Sequence, residues 1–130
     1  MKAEQHDLLE SLRPARRVVV VDDHPSFRRC ACALLTAEGF EVVGEAEDGA
    51  GAIALVPELH PQLVLLDVQL PDIDGFEVAA RLLARDPTLA IVLVSSRDRS
   101  QYGPLVEASG ARGFVSKEEL SGCVLERLLE

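Results

Sequence analysis

Residues 63–75 read Leu-Val-Leu-Leu-Asp-Val-Gln-Leu-Pro-Asp-Ile-Asp-Gly, an aliphatic run that ends in an acid and continues into a loop of turn-forming residues. A short, continuously apolar run suits a strand that is covered on both faces, as in a parallel sheet. Residues 18–21 and 91–94 have the same character. The stretch therefore predicts a central strand with Asp67 at its carboxyl end.

The rest of the chain alternates between apolar runs and helical patterns. Residues 40–44 and 113–115 supply two further strand candidates, and the broken pattern of 40–44 places that strand at an edge of the sheet. Such alternation predicts right-handed crossovers and a doubly wound α/β sheet with helices on both faces. The helix after residues 40–44 is expected to turn four residues inward: Ala50, Ile53, Ala54 and Val56. A weaker helix over 98–109 is interrupted by Gly103 and Pro104.

Composition limits the classes of function. The 130 residues fit one domain, assigned to 16–130, after a leader at 1–15 in which Leu8, Leu9 and Leu12 form a short apolar stripe.

A net charge of −9 argues against direct nucleic-acid binding, which needs a basic face. The spacing of the three cysteines fits no zinc pattern. No segment has the composition of a signal peptide or a membrane span, so we expect a soluble, cytoplasmic protein without membrane contact.

Polar residues follow the apolar runs at the points where the strands are expected to end. Asp22 and Asp23 follow the first run, Asp67 the third, Ser95 the fourth and Lys117 the fifth. The carboxyl ends of parallel strands meet at one edge of a sheet, where ligands bind in folds of this class. One acid after a strand is usually a turn or cap residue. Acids at two strand ends, with a hydroxyl and a lysine at two others, predict a shared site.

Three carboxylates in one crevice repel each other unless a cation lies between them. Oxygen ligands suit Mg²⁺, with Mn²⁺ as an alternative, better than zinc. His24 follows the acidic pair and is expected to begin the first helix beside Pro25 rather than bind metal. A metal, an ammonium and a hydroxyl together suit a phosphoryl group, and the remaining carboxylate can act as a nucleophile. In the loop that follows, Asp72 and Asp74 are interpreted as turn and cap groups.

These motifs resemble the receiver domains of two-component response regulators over about residues 16–129. The resemblance rests on an ordered set of segments: 20–23, 67–75, 94–96 and 113–117. The stretch 22–25 and the ending 117–120 are most similar to the LuxR/NarL/FixJ-like subfamily, whose members often carry a helix-turn-helix output domain. The resemblance implies a flavodoxin-like fold with five parallel strands in the order 2-1-3-4-5.

The resemblance also implies a role for each matching position. Asp67 matches the phosphoacceptor, Asp22 and Asp23 the acidic metal pair, and the backbone carbonyl of Gln69 a further metal ligand alongside Asp67. Three more positions match the family's catalytic and switch groups: Lys117, which pairs with Asp67 and then with the phosphate; Ser95, the switch hydroxyl; and Phe114, the switch aromatic. The implied partner is a histidine kinase. The resemblance is also compatible with a homodimer formed through the face of the fourth helix, fifth strand and fifth helix, or through the fifth helix alone.

Where receivers often have a proline after the lysine, this chain has Glu118, as in the subfamily just named. The expected function is phosphoryl transfer onto Asp67, which makes the chain a switch and not a turnover enzyme. Two alternatives keep the same architecture. One is a receiver-like interaction module that is never phosphorylated. The other is an aspartate-nucleophile phosphatase. That class resembles proteins with an Asp-x-Asp motif after the first strand, and the sequence Asp22-Asp23-His24 lacks the second acid of that motif. A flavin module would instead need a glycine-rich loop after the first strand.

Overall fold

The computed structural model describes residues 15–129. The stripe at Leu8, Leu9 and Leu12 and nearly all of the predicted leader lie outside this range. The strands are β1 (Arg17–Val21), β2 (Glu41–Ala46), β3 (Leu63–Asp67), β4 (Ala90–Ser95) and β5 (Gly113–Ser116). The α-helices are α1 (Pro25–Ala37), α2 (Gly49–Leu59), α3 (Gly75–Arg85), α4 (Leu105–Ala108) and α5 (Gly122–Leu129). Short 3₁₀ turns occupy Arg99–Gln101 and Lys117–Glu119.

All neighbouring strands pair in parallel, and the sheet order is β2-β1-β3-β4-β5. This confirms the predicted α/β fold, its strand order and the edge position of the second strand. Asp67 and Ser95 are the last residues of β3 and β4, at the same edge of the sheet. Within residues 15–129, no helix has the length and apolar character needed to cross a bilayer.

Alternate residues of the central strands build two cores on opposite faces of the sheet. Val19, Leu66 and Leu93 belong to the core shared with α2 and α3. Val20 and Leu65 belong to the core shared with α1 and α5. Both faces are covered, so β3 and β4 are buried along their whole length and β1 from its second residue onward. Such strands need apolar residues at successive positions. Their ends are thereby fixed in a rigid frame.

The inward face predicted for α2 is wrong in part. Ala50 and Ala54 are exposed, whereas Ala52 and Val56 are buried. The helix is rich in small and apolar residues, so its two faces differ little in hydrophobicity. The sequence pattern therefore indicates only weakly which face of the helix points inward. The helix also continues through Pro57 to Leu59.

The segment between β4 and β5 has little regular structure. Of the helix predicted over 98–109, only Leu105–Ala108 is α-helical, after the 3₁₀ turn at Arg99–Gln101. Gly103 has φ +57, a left-handed conformation that interrupts the helix, and Pro104 follows it. The predicted interruption is therefore confirmed, and it divides the segment into two short pieces.

Gly75 allows α3 to begin directly against the strand that carries Asp67. Its N–H donates to the Val68 carbonyl at 2.7 Å. A Cβ at this position would lie 2.8 Å from Val68 Cα and would also overlap the Asp67 carbonyl oxygen. These are backbone atoms at the end of a buried strand, so they have little freedom to move aside.

We expect Gly75→Ala to destabilise the protein by about 1–3 kcal/mol, the usual cost of overpacking a rigid contact. Gly122→Ala is a matched control. Gly122 also begins a helix, but the two nearest atoms to its added Cβ would be Oε2 and Cδ at the far end of the exposed Glu38 side chain, which can rotate away. Urea unfolding of both variants measures the difference. Equal stabilities would show that the backbone at Asp67 yields easily.

Candidate functional site

The carboxyl ends of three strands place their polar residues in one buried group. Asp22, just after β1, is 0% exposed, Asp67 is 2% exposed and Ser95 is 1% exposed. Lys117 begins the 3₁₀ turn after β5, and its side chain is 13% exposed. The sheet therefore brings these groups together as the sequence predicted.

One ammonium lies between two buried carboxylates. Lys117 Nζ is 2.6 Å from Asp22 Oδ2 and 3.4 Å from Asp67 Oδ2, so its closer partner is Asp22. It also lies 4.5 Å from the centroid of the Phe27 ring, in a cation–π contact that holds the lysine over the site. Burial, and next the charge of Asp22, raise the pKa of Asp67 to about 6 against the opposing effects of Lys117 and the Gln69 N–H. The pocket is thus short of positive charge.

His24 lies closer to the acids than the sequence suggested. Its Nδ1 is 3.2 Å from Oδ1 of both Asp22 and Asp23, and its backbone N–H donates to Asp22 Oδ1 at 2.8 Å. Side-chain ligand atoms of Asp22, Asp23, His24 and Asp67 all lie within 4.8 Å of one another. His24 immediately precedes α1 beside Pro25, as expected, and its imidazole also borders the acidic cluster.

The cluster fits a small divalent cation. Asp22 Oδ2 and Asp23 Oδ1 are buried and accept no hydrogen bond among the described residues. Lys117 Nζ lies 2.6 Å from Asp22 Oδ2 as its ion-pair partner, and His24 Nδ1 lies 3.2 Å from Asp23 Oδ1. Buried carboxylate oxygens without hydrogen bonds are costly unless a cation compensates them. Oxygen donors at this spacing suit Mg²⁺ or Mn²⁺.

Ser95 forms its hydrogen bonds with residues of the segment that follows β4. Its Oγ accepts from the Arg97 N–H at 3.0 Å and lies 2.7 Å from the Tyr102 hydroxyl. The Tyr102 ring contacts Phe76 and Phe114, with centroids 5.5 and 5.8 Å apart. The sequence pointed to Ser95 and Phe114 but not to Tyr102. Tyr102 lies in the irregular segment before β5, where no pattern places it beside the site.

Comparison with known proteins identifies the chain's family. The family model described as the response regulator receiver domain matches residues 18–128. The chain belongs to the response regulator receiver domain family. The match spans the whole sheet except Arg17, including every strand end that carries a site residue.

Relatives of this receiver domain are regulators of the expected subfamily. It is 39% identical to a putative transcriptional regulator of Pseudomonas aeruginosa over 79% of this chain and 50% of that protein. It is 36% identical to the probable transcriptional regulatory protein NarL of Mycobacterium tuberculosis over 88% of this chain and 53% of that protein. The solved receiver domain of the latter superposes with a TM-score of 0.79 at 35% identity, covering 90% of this chain and 98% of that one. The chain spans about half the length of these curated regulators.

Gln69 and Arg97 meet at the rim of the receiver's site. With its amide oxygen turned toward the guanidinium, Gln69 accepts from Nε and Nη2 of Arg97, both at 3.2 Å. The Gln69 N–H donates to Asp67 Oδ1 at 3.2 Å. The two side chains join the loop after β3 to the loop after β4.

Asp72 and Asp74 cap two different helices. Asp74 caps α3 by accepting from the Glu77 N–H at 2.9 Å, which confirms its predicted role. Asp72 reaches across to the start of α2, where it accepts from the N–H groups of Gly49 at 2.8 Å and Ala50 at 2.9 Å. The Asp67 loop is therefore tied to the second helix by a contact that its own turn pattern did not indicate.

This long-range cap predicts a pH-dependent stability. The N–H groups of Gly49 and Ala50 hold the pKa of Asp72 below its ordinary value of 3.8. The carboxylate therefore contributes stability at neutral pH, and that contribution is lost as the pH falls through and below 3.8. We expect Asp72→Asn to melt at a lower temperature than the wild type at pH 7, and the gap to narrow on acidification.

Asp98→Asn is the control for this comparison. Asp98 precedes the 3₁₀ turn at Arg99–Gln101, but its side chain caps nothing there. The melting temperature of the Asp98→Asn variant should equal that of the wild type at every pH. A constant gap for Asp72→Asn across the titration would contradict the role of the charge.

Proposed function

We propose that this receiver domain accepts a phosphoryl group on Asp67 from the phosphohistidine of a histidine kinase, in a reaction that depends on Mg²⁺, and thereby switches a protein-interaction surface. The observation that carries the proposal is the arrangement of Asp67, Asp22, Asp23 and Lys117 at one sheet edge. Family membership supports it, because the same positions were matched to the receiver motif from the sequence. The domain catalyses only its own modification.

In the proposed step an oxygen of Asp67 attacks the phosphorus in line with the phosphorus–nitrogen bond of the donor. That bond breaks, its electron pair goes to the donor imidazole, and an acyl phosphate forms on Asp67. Burial favours this chemistry because the carboxylate has few solvent hydrogen bonds to lose before it attacks. Gln69 orients the nucleophile through its N–H to Asp67 Oδ1.

Lys117 is placed to pair first with the carboxylate of Asp67 and then with the phosphoryl group bound to it. Its ammonium already contacts both Asp22 and Asp67, so a shift of less than a side-chain length brings it to a phosphoryl oxygen. The cation–π contact with Phe27 keeps it desolvated, which strengthens its attraction for the transferred group. Asp22 remains as its anchor.

Asp22, Asp23, Asp67 and the Gln69 carbonyl would hold the divalent ion. Bound there, Mg²⁺ supplies charge neutralisation for the phosphoryl oxygens and for the clustered acids. The need for it follows from the charges, because one lysine faces three carboxylates.

The partners proposed for the chain are those of its relatives. Several of these are transcriptional regulators about twice as long as this chain, so any DNA-binding output is proposed to belong to a part outside this acidic domain. The surface that changes is proposed to include α4, β5 and α5, where homodimerisation would also take place. A cytoplasmic location is proposed because the donor kinase presents its phosphohistidine there.

Phosphorylation is tested with a small acyl-phosphate donor and Mg²⁺, read by intact mass. The wild type should gain the mass of one phosphoryl group, and Asp67→Asn should gain none. Asp74→Asn is the matched control, because it makes the same change seven residues away in the same loop and asparagine still caps a helix. Loss of labelling in the control, or labelling of Asp67→Asn, would falsify the assignment of Asp67.

Metal binding is tested separately by titration calorimetry with Mg²⁺. Asp23→Asn should weaken binding by at least about tenfold, since even groups that only support a ligand have effects of that size. The Asp74→Asn variant should bind as the wild type does. An unchanged affinity in Asp23→Asn would place the ion elsewhere.

A further inference from the structure

The Tyr102 hydroxyl lies directly beside Ser95, the residue matched to the switch hydroxyl of the family. The sequence matched Ser95 to the switch hydroxyl and Phe114 to the switch aromatic of the family. In the structure the phenol of Tyr102 lies 2.7 Å from Ser95 Oγ, and its ring centroid lies 5.8 Å from that of Phe114. Ser95 is 1% exposed, so no solvent route replaces this contact.

We infer that Tyr102 is a positioning residue that holds Ser95 in the unphosphorylated arrangement and releases it when the phosphoryl group arrives. The inference rests on the proposed function of Asp67. A serine hydroxyl has one proton and two lone pairs. The Arg97 N–H donates to one lone pair of Ser95 Oγ, and Tyr102 forms the second hydrogen bond of that oxygen. Among the described residues, no carboxylate of the site bonds to Ser95. Either hydroxyl can be the donor between Ser95 and Tyr102, and in the inferred arrangement the donor is Ser95. Its one proton cannot serve both the Tyr102 oxygen and a phosphoryl oxygen, so turning toward the phosphoryl group breaks the bond to Tyr102.

The ring of Tyr102 connects this bond to the rest of the domain. It packs edge-on against Phe76 of α3 and against Phe114 of β5. Its backbone carbonyl accepts from the Leu105 N–H at 3.3 Å, where α4 begins. When Ser95 leaves, the phenol loses its polar partner, and a shift of its ring moves Phe114 and α4 together.

The surrounding segment is suited to such a movement. Tyr102 lies between a 3₁₀ turn and Gly103, and α4 has four residues. Few backbone hydrogen bonds oppose its displacement, which is typical of elements that move in switches. Leu105, which is 51% exposed, would be carried with it and would change the apolar surface presented to a partner.

The chain carries its own reporter for this test. Tyr102 is the one tyrosine, and the chain has no tryptophan, so tyrosine emission comes from this residue alone. Beryllofluoride with Mg²⁺ is the probe, because it imitates an acyl phosphate without turnover. Binding is followed by ¹⁹F NMR and emission by fluorescence. We expect emission to change in step with binding. Binding with unchanged emission overturns the inference alone, whereas no binding by the wild type overturns it together with the proposed function.

A double-mutant cycle separates positioning from mere packing. Tyr102→Phe removes the hydroxyl and keeps the ring contacts, so Ser95 is released and the apparent affinity for beryllofluoride should rise about three- to tenfold, the worth of one net hydrogen bond. In a Ser95→Ala background the same change should have no effect, because the bond is already absent. An equal effect in both backgrounds, or none with Ser95 present, overturns the inference.

Discussion

The site depends on one ammonium shared between two buried carboxylates. Lys117 lies between Asp22 and Asp67, residues that come from the ends of β1 and β3 and are far apart in sequence. A parallel sheet brings these ends together, and the charge conflict follows from that geometry. Burial, and next the charge of Asp22, raise the pKa of Asp67, and the fit to a divalent cation follows from the same crowding of buried carboxylates.

The two-sided core gives this arrangement its rigidity. Alternate residues of β1, β3 and β4 pack against helices on opposite faces, so the strands cannot slip without moving apolar side chains from one core to the other. The loops above the sheet are then held by specific polar contacts. Asp72 ties the Asp67 loop to α2, and Gln69 joins it to Arg97. The segment with Tyr102 contains only a 3₁₀ turn and the four residues of α4, which suits the movement proposed for it.

The fold was predictable where the sequence contrast was strong. The continuous apolar runs of β1, β3 and β4 indicated strands covered on both faces, and the fold confirms this. The face of α2 was predicted wrongly in part, since Ala50 and Ala52 differ in position but hardly in hydrophobicity. For such a helix the buried face is decided by packing, and here Ala52 and Val56 lie in the core formed with the sheet.

The sequence by itself determined which groups stand at the strand ends, because an apolar run followed by an acid, a serine or a lysine is visible in one dimension. That was enough to predict the candidate site at Asp22, Asp23, Asp67, Ser95 and Lys117. Only the tertiary structure decided which of these groups meet and what else reaches them. Lys117 is nearer to Asp22 than to Asp67, His24 borders the acids, and Tyr102 bonds to Ser95. These contacts join side chains across loops without a periodic pattern, and such distances are set by packing in three dimensions rather than by spacing along the chain.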